Sequence, residues 1–114
     1  MNEHCIGGIF WLEIFFEDKD ESKVRPVLVV SYAKESNLLT IVEITSSPPN
    51  NPPTHFDQFK EPIYKWKEAG LSRLSYAKTH KLHRIHRDEI GSFCGKLEGS
   101  DFDRICVRIL EVNN

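Results

Sequence analysis

The chain has 114 residues and a formal net charge of −2, with 17 Asp and Glu against 15 Lys and Arg. That length predicts one domain over residues 1–114. No apolar run is long enough to span a membrane, and the amino terminus lacks the basic segment and cleavage site of a secretory signal, so we expect neither. The three cysteines are odd in number and not closely spaced, which argues against a disulfide scaffold or zinc ribbon and favours a reducing, cytoplasmic location.

Three β-rich segments open the chain. GIFWLEIFF, residues 8–16, is apolar on both faces of an extended strand, so it either lies inside the fold or borders a second subunit. The charged segment EDKDESK (17–23) predicts a solvated loop. A second buried strand, VRPVLVVSY (24–32), and a third from Leu38 to Thr45 follow it.

The middle of the chain predicts a loop, a helix and two further strands. SPPNNPPTHF (47–56) contains four prolines, which lack the N–H that a sheet requires, and long loops of this kind are often functional. EPIYKWKEAG (61–70) predicts a short internal helix that ends at Gly70. We expect the next strand to run from Ser72 to His83, and a shorter, glycine-interrupted strand in EIGSFCGKL (89–97).

The C-terminal segment has the clearest helical pattern. Ser100 and Asp103 have the spacing of a capping box, and apolar residues then recur with the period of an amphipathic helix. These apolar positions are Phe102, Ile105, Cys106, Ile109 and Leu110. Several strands followed by one helix predict a mainly β domain of the α+β class, or a small β-barrel.

Cations concentrate between Lys60 and Arg87, where eight Lys and Arg accompany only two acidic residues. With Tyr64, Trp66 and Tyr76 interleaved, the segment is typical of a groove for single-stranded nucleic acid, in which charge follows phosphate and rings stack on bases. The alternative is a solvated edge strand whose lysines prevent aggregation.

Three histidines, His80, His83 and His86, recur at three-residue steps within this segment. On a strand the middle one points away from the other two, and no cysteine or carboxylate completes a set of four ligands. We therefore predict solvated histidines and no metal site.

A candidate phosphate site comes from residues at strand ends. Arg73 and Ser75, two apart, would share one face of a strand and could bracket a phosphodiester. Arg25 opens a buried strand, where a charge needs a partner, and Thr45 and Ser46 close the third strand. The alternative for Thr45 and Ser46 is a hydrogen bond to local backbone.

Five segments of the chain, in order, are GGIFWLEIFF, KVRPVLVVS, LTIVEITS, EAGLSRLSYAKTHKL and IGSFCGKLEGSDFDRI. Together they resemble the MazF/PemK family of toxins from type II toxin–antitoxin systems over nearly the whole chain. The resemblance implies a homodimeric SH3-like barrel related to the CcdB toxins. It also implies a cytoplasmic endoribonuclease that needs no metal or cofactor and cuts single-stranded RNA at short sequences. Attack by the ribose 2′-OH would leave a 2′,3′-cyclic phosphate and a 5′-OH.

The same resemblance implies partners. A cognate antitoxin would block the RNA groove, and operator DNA would be reached only through the antitoxin complex, with no membrane involved. Two other functions stay open: an inactive member that only binds RNA or antitoxin, and a gyrase poison of the CcdB type.

Carried over residue by residue, the resemblance implies catalytic roles for Arg25, Thr45 and Arg73, and Ser75 takes the position two after that arginine. The expected RNA-binding wall comprises Ser46, Tyr76, Lys78, Thr79, His80 and Lys81.

The chain departs from the family at Ser75, where PemK-like members have an acidic residue. An unactivated hydroxyl is a poor general base. Three alternatives remain: a carboxylate from the first loop, a histidine such as His80, or catalysis by positioning and two arginines alone. The loop carboxylates are Glu17, Asp18, Asp20 and Glu21.

Overall fold

The computed structural model describes residues 5–16, 18 and 20–114. Two predictions concern residues outside this described part: the absence of a secretory signal, and Glu17 as a candidate general base. The strands are β1 (Gly8–Phe16), β2 (Glu21–Ala33), β3 (Leu38–Thr45), β4 (Lys60–Ile63), β5 (Ser75–His86) and β6 (Phe93–Lys96). Helix α1 covers Gly99–Asn113, and short 3-10 turns occur at Phe56–Phe59 and Arg87–Glu89.

The strands form one antiparallel sheet in the order β4-β5-β3-β2-β1-β6. The predicted mainly β class with a C-terminal helix is confirmed. The hydrogen-bonded pairs leave β4 and β6 as the two edges, so the ladder among the described residues does not close into a continuous ring. Within the same residues, no helix is long and apolar enough to cross a membrane.

The sheet is buried on both faces. One core cluster lies under α1 and contains Ile9 and Leu28 together with Ile105 and Ile109 of the helix. The other cluster contains residues of β1 and β2 that alternate with these, among them Leu12 and the pair Val27 and Val29. The two-sided apolar character of residues 8–16 therefore reflects burial of both faces over the first part of β1.

Two strand boundaries differ from the predictions. β2 begins at Glu21, inside the predicted loop, because its charged first residues pair with β1 through Phe16. β5 covers Ser75–His86, not 72–83, because pairing with β4 begins at the Ile63–Ser75 pair. The third strand, Leu38 to Thr45, is confirmed.

The predicted helix over residues 61–70 is wrong. Its first residues form β4 against β5, and only one helical turn follows, with the Ala69 N–H donating to Lys65 O at 3.2 Å. Gly70 does end that turn: it has φ +87°, and Leu71 N–H donates to Trp66 O at 3.0 Å, the hydrogen bond of a Schellman motif. Pairing with β5 therefore overrides the local helical preference of this segment.

The predicted cap of α1 is also corrected. The helix begins at Gly99, and the Glu98 carboxylate, not Ser100, caps it by accepting from Ser100 N–H at 2.8 Å. Ile105 and Ile109 are buried as the periodicity predicts, but Leu110 is 63% exposed. The apolar stripe is therefore narrower than the sequence pattern indicates.

Candidate functional site

Four segments distant in sequence meet at one cleft of about 440 Å³, called here the Arg73 cleft. Its lining includes every residue predicted to be catalytic and Ser46 from the predicted RNA wall. These residues are Arg25, Thr45, Ser46, Arg73 and Ser75.

The register of the sheet explains how Arg25 and Thr45 meet. Val27 of β2 is paired with Glu43 of β3, so Arg25 and Thr45 lie two residues beyond that pair on adjacent strands. Since side chains two apart on a strand share a face, all of these positions project to the same side of the sheet.

Arg73 reaches the cleft from outside the sheet, because it lies in a bend before β5. The Gly70 turn directs the chain into this bend, and Leu71 and Ser72 also line the cleft. A side chain at position 70 would place its Cβ 2.7 Å from the Cys94 carbonyl oxygen, which accounts for a glycine there.

Both arginines of the cleft are exposed. Among the described residues, the arginine side chains that form ion pairs are Arg87 and Arg104, so neither Arg25 nor Arg73 has a carboxylate partner. Their guanidinium groups therefore present free donors and two positive charges to the cleft.

Ser75 differs from the prediction. It is only 4% exposed, and its hydroxyl donates to the carbonyl oxygen of Arg73 at 2.9 Å. Arg73 precedes the strand, so the two residues do not share a strand face. The hydroxyl of Ser75 thus fixes the backbone that carries Arg73.

A second cleft of about 300 Å³, the Glu43 cleft, shares Arg25 and Thr45 with the first and adds Glu43, Lys78 and Lys81. Glu43 Oε2 lies 3.0 Å from His83 Nε2, and Glu43 Oε1 lies 4.0 Å from Lys78 Nζ. Burial lowers the pKa of Lys78 below its ordinary value, although the nearby Glu43 carboxylate opposes that shift.

A β-bulge brings both lysines to this cleft. Between the pairs Val42–Leu82 and Ile44–Ala77, the single residue Glu43 of β3 faces residues 78–81 of β5. On a regular strand Lys78 and Lys81 would point to opposite faces. The bulge removes that alternation, and both lysines line the Glu43 cleft.

A third cleft of about 470 Å³, the Phe56 cleft, continues from the second and shares Thr45, Lys78 and Lys81 with it. Phe56 is 60% exposed, and its ring stacks on His80 with centroids 5.2 Å apart and planes inclined by 18°. Thr45 lines all three clefts, so they adjoin one another, with two lysines in the Glu43 and Phe56 clefts and an exposed aromatic ring in the Phe56 cleft.

The proline-rich loop supports Phe56 through Asp57. One oxygen of this carboxylate accepts hydrogen bonds from the backbone N–H groups of Asn50 and Thr54, each at 2.9 Å, and the other lies 3.1 Å from Lys60 Nζ. The hydrogen bonds from Thr54 and Asn50 hold the pKa of Asp57 well below its usual range. The loop is therefore tied to the start of β4.

His80 is a half-buried imidazole that contacts both Phe56 and Phe59, and the ring centroids of His80 and Phe59 are 4.9 Å apart. Its Nδ1 is buried and has no hydrogen-bond partner among the described residues. Burial, with the charges of Lys81 and Lys78, lowers the pKa of His80 below 6.5, so the ring is neutral at neutral pH.

The other two histidines have separate surroundings. His83 contacts Glu43, while His86 Nδ1 accepts from Asp88 N–H at 3.1 Å and caps a 3-10 turn. Among the described residues, no group of three or more His, Cys, Asp or Glu side chains could hold a metal ion.

Thr79 is a correction to the predicted RNA-binding wall. It is fully buried, and its hydroxyl donates to Phe59 O at 2.6 Å, so it cannot reach a ligand in the clefts. Tyr76 is half-buried opposite Thr45 and Pro62, outside the three cleft linings.

Two further aromatic predictions are corrected. The Tyr64 ring lies under Arg104, 4.7 Å from the guanidinium carbon, and Trp66 packs against the core beneath α1. Neither side chain lines the Arg73, Glu43 or Phe56 cleft.

The described residues of the predicted acidic loop do not line the three clefts. These residues are Asp18, Asp20 and Glu21. The sequence reasoning missed Glu43 and Phe56. Glu43 stands two residues before Thr45 in a strand, so period-2 alternation could have placed it on the same face as Thr45.

A family model described as PemK-like, MazF-like toxin of type II toxin–antitoxin system matches residues 6–112, nearly the whole chain. The chain belongs to this family. The resemblance read from its motifs is thus confirmed, and the clefts are those of a toxin from a type II toxin–antitoxin system. A comparison with curated proteins finds no significant match.

Solved structures of related fold agree with this family. The Mycobacterium tuberculosis toxin MazF-mt6 is 18% identical to this chain, with a TM-score of 0.68, and the match covers 93% of this chain and 95% of MazF-mt6. A MazE–MazF complex from Deinococcus radiodurans is 15% identical with a TM-score of 0.70, over 95% and 94% of the two chains. An endoribonuclease in complex with its cognate antitoxin from a mycobacterial species is 14% identical with a TM-score of 0.68, over 95% and 92%. At these identities the likeness establishes a common fold.

Proposed function

We propose that this toxin is an endoribonuclease that cleaves single-stranded RNA without a metal ion. The observation that carries the proposal is the Arg73 cleft, where Arg25, Thr45 and Arg73 meet and neither guanidinium group pairs with a carboxylate of the described residues. A guanidinium group binds the oxygens of a phosphodiester bidentately, and two of them can hold the charge that develops at phosphorus.

In this mechanism the ribose 2′-OH attacks the adjacent phosphorus, and the 5′ oxygen leaves. Arg25 and Arg73 stabilise the negative charge on the phosphoryl oxygens, and the Thr45 hydroxyl orients the phosphate between them. Ser75 acts at a distance, by holding the backbone that carries Arg73. The products are a 2′,3′-cyclic phosphate and a 5′-OH end.

The RNA would extend from the Arg73 cleft into the Glu43 and Phe56 clefts, which share Thr45. Lys78 and Lys81 are positioned for backbone phosphates, and the exposed face of Phe56, stacked on His80, suits a nucleobase. Ser46 at the edge of the Arg73 cleft completes this path.

Further parts of the proposal concern assembly. A cognate antitoxin would cover the clefts in the cytoplasm, and operator DNA would be bound only through that complex.

A homodimer would form through the face of β1 and β2 that exposes three apolar side chains: Trp11 is 36% exposed, and Phe15 and Val24 are each 59% exposed. Sedimentation of the purified toxin should give the mass of two chains; a single-chain mass at all concentrations would contradict the dimer.

Incubation of the purified toxin with a long single-stranded RNA in EDTA tests the activity. We expect fragments with 5′-OH ends and 2′,3′-cyclic phosphates, and no cleavage of an RNA whose ribose at the cut site lacks the 2′-OH. RNA binding without fragments would instead identify an inactive binding member. Failure to bind RNA, with gyrase trapped on DNA, would identify a gyrase poison.

A further inference from the structure

The Arg73 cleft lacks a group to remove the 2′-OH proton. No carboxylate or histidine of the described chain is among its lining residues, and the hydroxyl of Ser75 is directed to a carbonyl oxygen. General-base catalysis typically contributes about 10²–10⁴-fold to a rate, so its source matters for the mechanism.

We propose that Glu43 is the general base of the RNA cleavage, an inference that rests on the proposed endoribonuclease function. Glu43 lines the neighbouring cleft together with Arg25 and Thr45, both of which also line the Arg73 cleft. Its position on β3, two residues before Thr45, directs its side chain to the same face of the sheet.

Within the described chain, Glu43 is the one carboxylate that shares a lining with Arg25 or Arg73 in these three clefts. Asp57 accepts from two backbone N–H groups and the Asn50 side chain and contacts Lys60. Asp18, Asp20 and Glu21 are not among the lining residues of the three clefts. Glu43 alone combines a carboxylate with a place beside Arg25 and Thr45.

His80 is a neutral imidazole but a poor candidate on geometry. Its ring packs against Phe56 and Phe59, and its Nδ1 is buried. The Phe56 cleft that it lines does not contain Arg25 or Arg73.

The surroundings of Glu43 leave it free to accept a proton. Its side chain is 21% exposed, and its one hydrogen-bond contact among the described residues is the 3.0 Å approach of His83 Nε2 to Oε2. Lys78 Nζ stands 4.0 Å from Oε1, beyond hydrogen-bond distance. A carboxylate has about four lone-pair sites, so an oxygen remains available for the 2′-OH.

The chemical step then balances. Glu43 takes the proton of the 2′-OH as the bond from the 2′ oxygen to phosphorus forms and the bond from phosphorus to the 5′ oxygen breaks. The 5′ oxygen takes a proton from water, and the Glu43 proton returns to solvent. The His83 contact holds the carboxylate in place, and Arg25 holds the phosphate beside it.

Glu43→Gln tests the inference, because the amide keeps the size and removes the basicity. We expect kcat on a defined oligoribonucleotide to fall by about 10²–10⁴-fold while KM stays within a factor of about 3. Glu111→Gln is the matched control, since Glu111 is an exposed carboxylate on α1 outside the Arg73, Glu43 and Phe56 clefts. The control should retain wild-type kcat and KM.

Chemical rescue separates a base from a structural carboxylate. Added formate should restore part of the kcat of Glu43→Ala and leave Glu43→Gln unchanged, because only the truncated variant has room for the anion. Circular dichroism shows whether each variant is folded, and Glu43→Asp, with its carboxylate one carbon shorter, should retain intermediate activity.

The outcomes distinguish this inference from the function itself. If the wild type cuts RNA and Glu43→Gln cuts it equally fast, Glu43 is not the base and the endoribonuclease proposal stands. A loss of activity that appears in KM alone, without rescue by formate, gives Glu43 only a binding role and also overturns the inference. A wild type that yields no fragments overturns both.

Discussion

Two regions of this toxin contain arginines and an aromatic ring, and they differ in how many partners the protein itself supplies to these groups. At the junction of β4 and α1, Arg104 donates to Glu61 at 2.7 Å, pairs with the buried Asp101 and lies over the Tyr64 ring. In the clefts, Arg25 and Arg73 have no carboxylate partner among the described residues, and Phe56 exposes one ring face.

The difference indicates which cations serve folding and which serve a ligand. Asp101 also accepts from the Lys65 backbone N–H at 2.9 Å, so the Arg104 network ties the helix to the segment after β4. Both terminal nitrogens of Arg104 donate to carboxylates of the protein, which leaves few donors for RNA. A guanidinium without a carboxylate partner, like those of Arg25 and Arg73 among the described residues, can bind an anion from outside.

Arg73→Ala should give the largest effect on the cleft side of this comparison. We expect a loss of about 10²–10³-fold in kcat on RNA and of growth inhibition, because a charge-stabilising donor is removed. The free energy of unfolding should change by less than about 0.5 kcal/mol, since the side chain is exposed and forms no ion pair with the described residues. Urea denaturation and single-turnover cleavage measure the two quantities.

Arg84→Ala is the control for Arg73→Ala, because Arg84 is an exposed arginine of β5 outside the Arg73, Glu43 and Phe56 clefts. It should cleave like the wild type. Full toxicity of Arg73→Ala would show that the phosphate site lies elsewhere.

Phe56→Ala sharpens the comparison for the aromatic rings. Loss of one base-stacking surface should raise KM for RNA by about 5- to 150-fold, corresponding to about 1–3 kcal/mol, with little change in kcat. Phe93→Ala is matched in exposure, at 61% against 60%, but its ring packs edge-on to Phe10 and lies on the edge strand β6. Equal effects of the two variants on KM would remove Phe56 from the RNA path.

Arg104→Ala should give the reverse pattern, with a smaller effect. Removal of the charged hydrogen bonds to Glu61 and Asp101 should lower the free energy of unfolding by about 2 kcal/mol, since Asp101 is only 3% exposed and loses a partner. Cleavage per folded molecule should stay at the wild-type rate. If RNA affinity fell instead while stability held, the two sites would not differ as described.

Local patterns in the sequence were sufficient for much of the fold. Apolar runs identified β1 and β3, the helical period identified α1, and Gly70 identified the end of a helical turn. These features depend on neighbours within a few residues, which a sequence displays directly. Residues at strand ends, together with the resemblance to the toxin family, indicated Arg25, Thr45 and Arg73, which the structure places around one cleft.

Contacts between distant residues decided the rest. Pairing with β5 turned residues 60–63 into a strand, and a bulge opposite Glu43 placed Lys78 and Lys81 in one cleft while Thr79 was buried. Strand alternation cannot anticipate a bulge, because the bulge is defined by the register between two chain segments. The sequence thus determined which groups are present and which elements carry them. The tertiary structure decided which groups face the same cleft, because that depends on cross-strand register and burial.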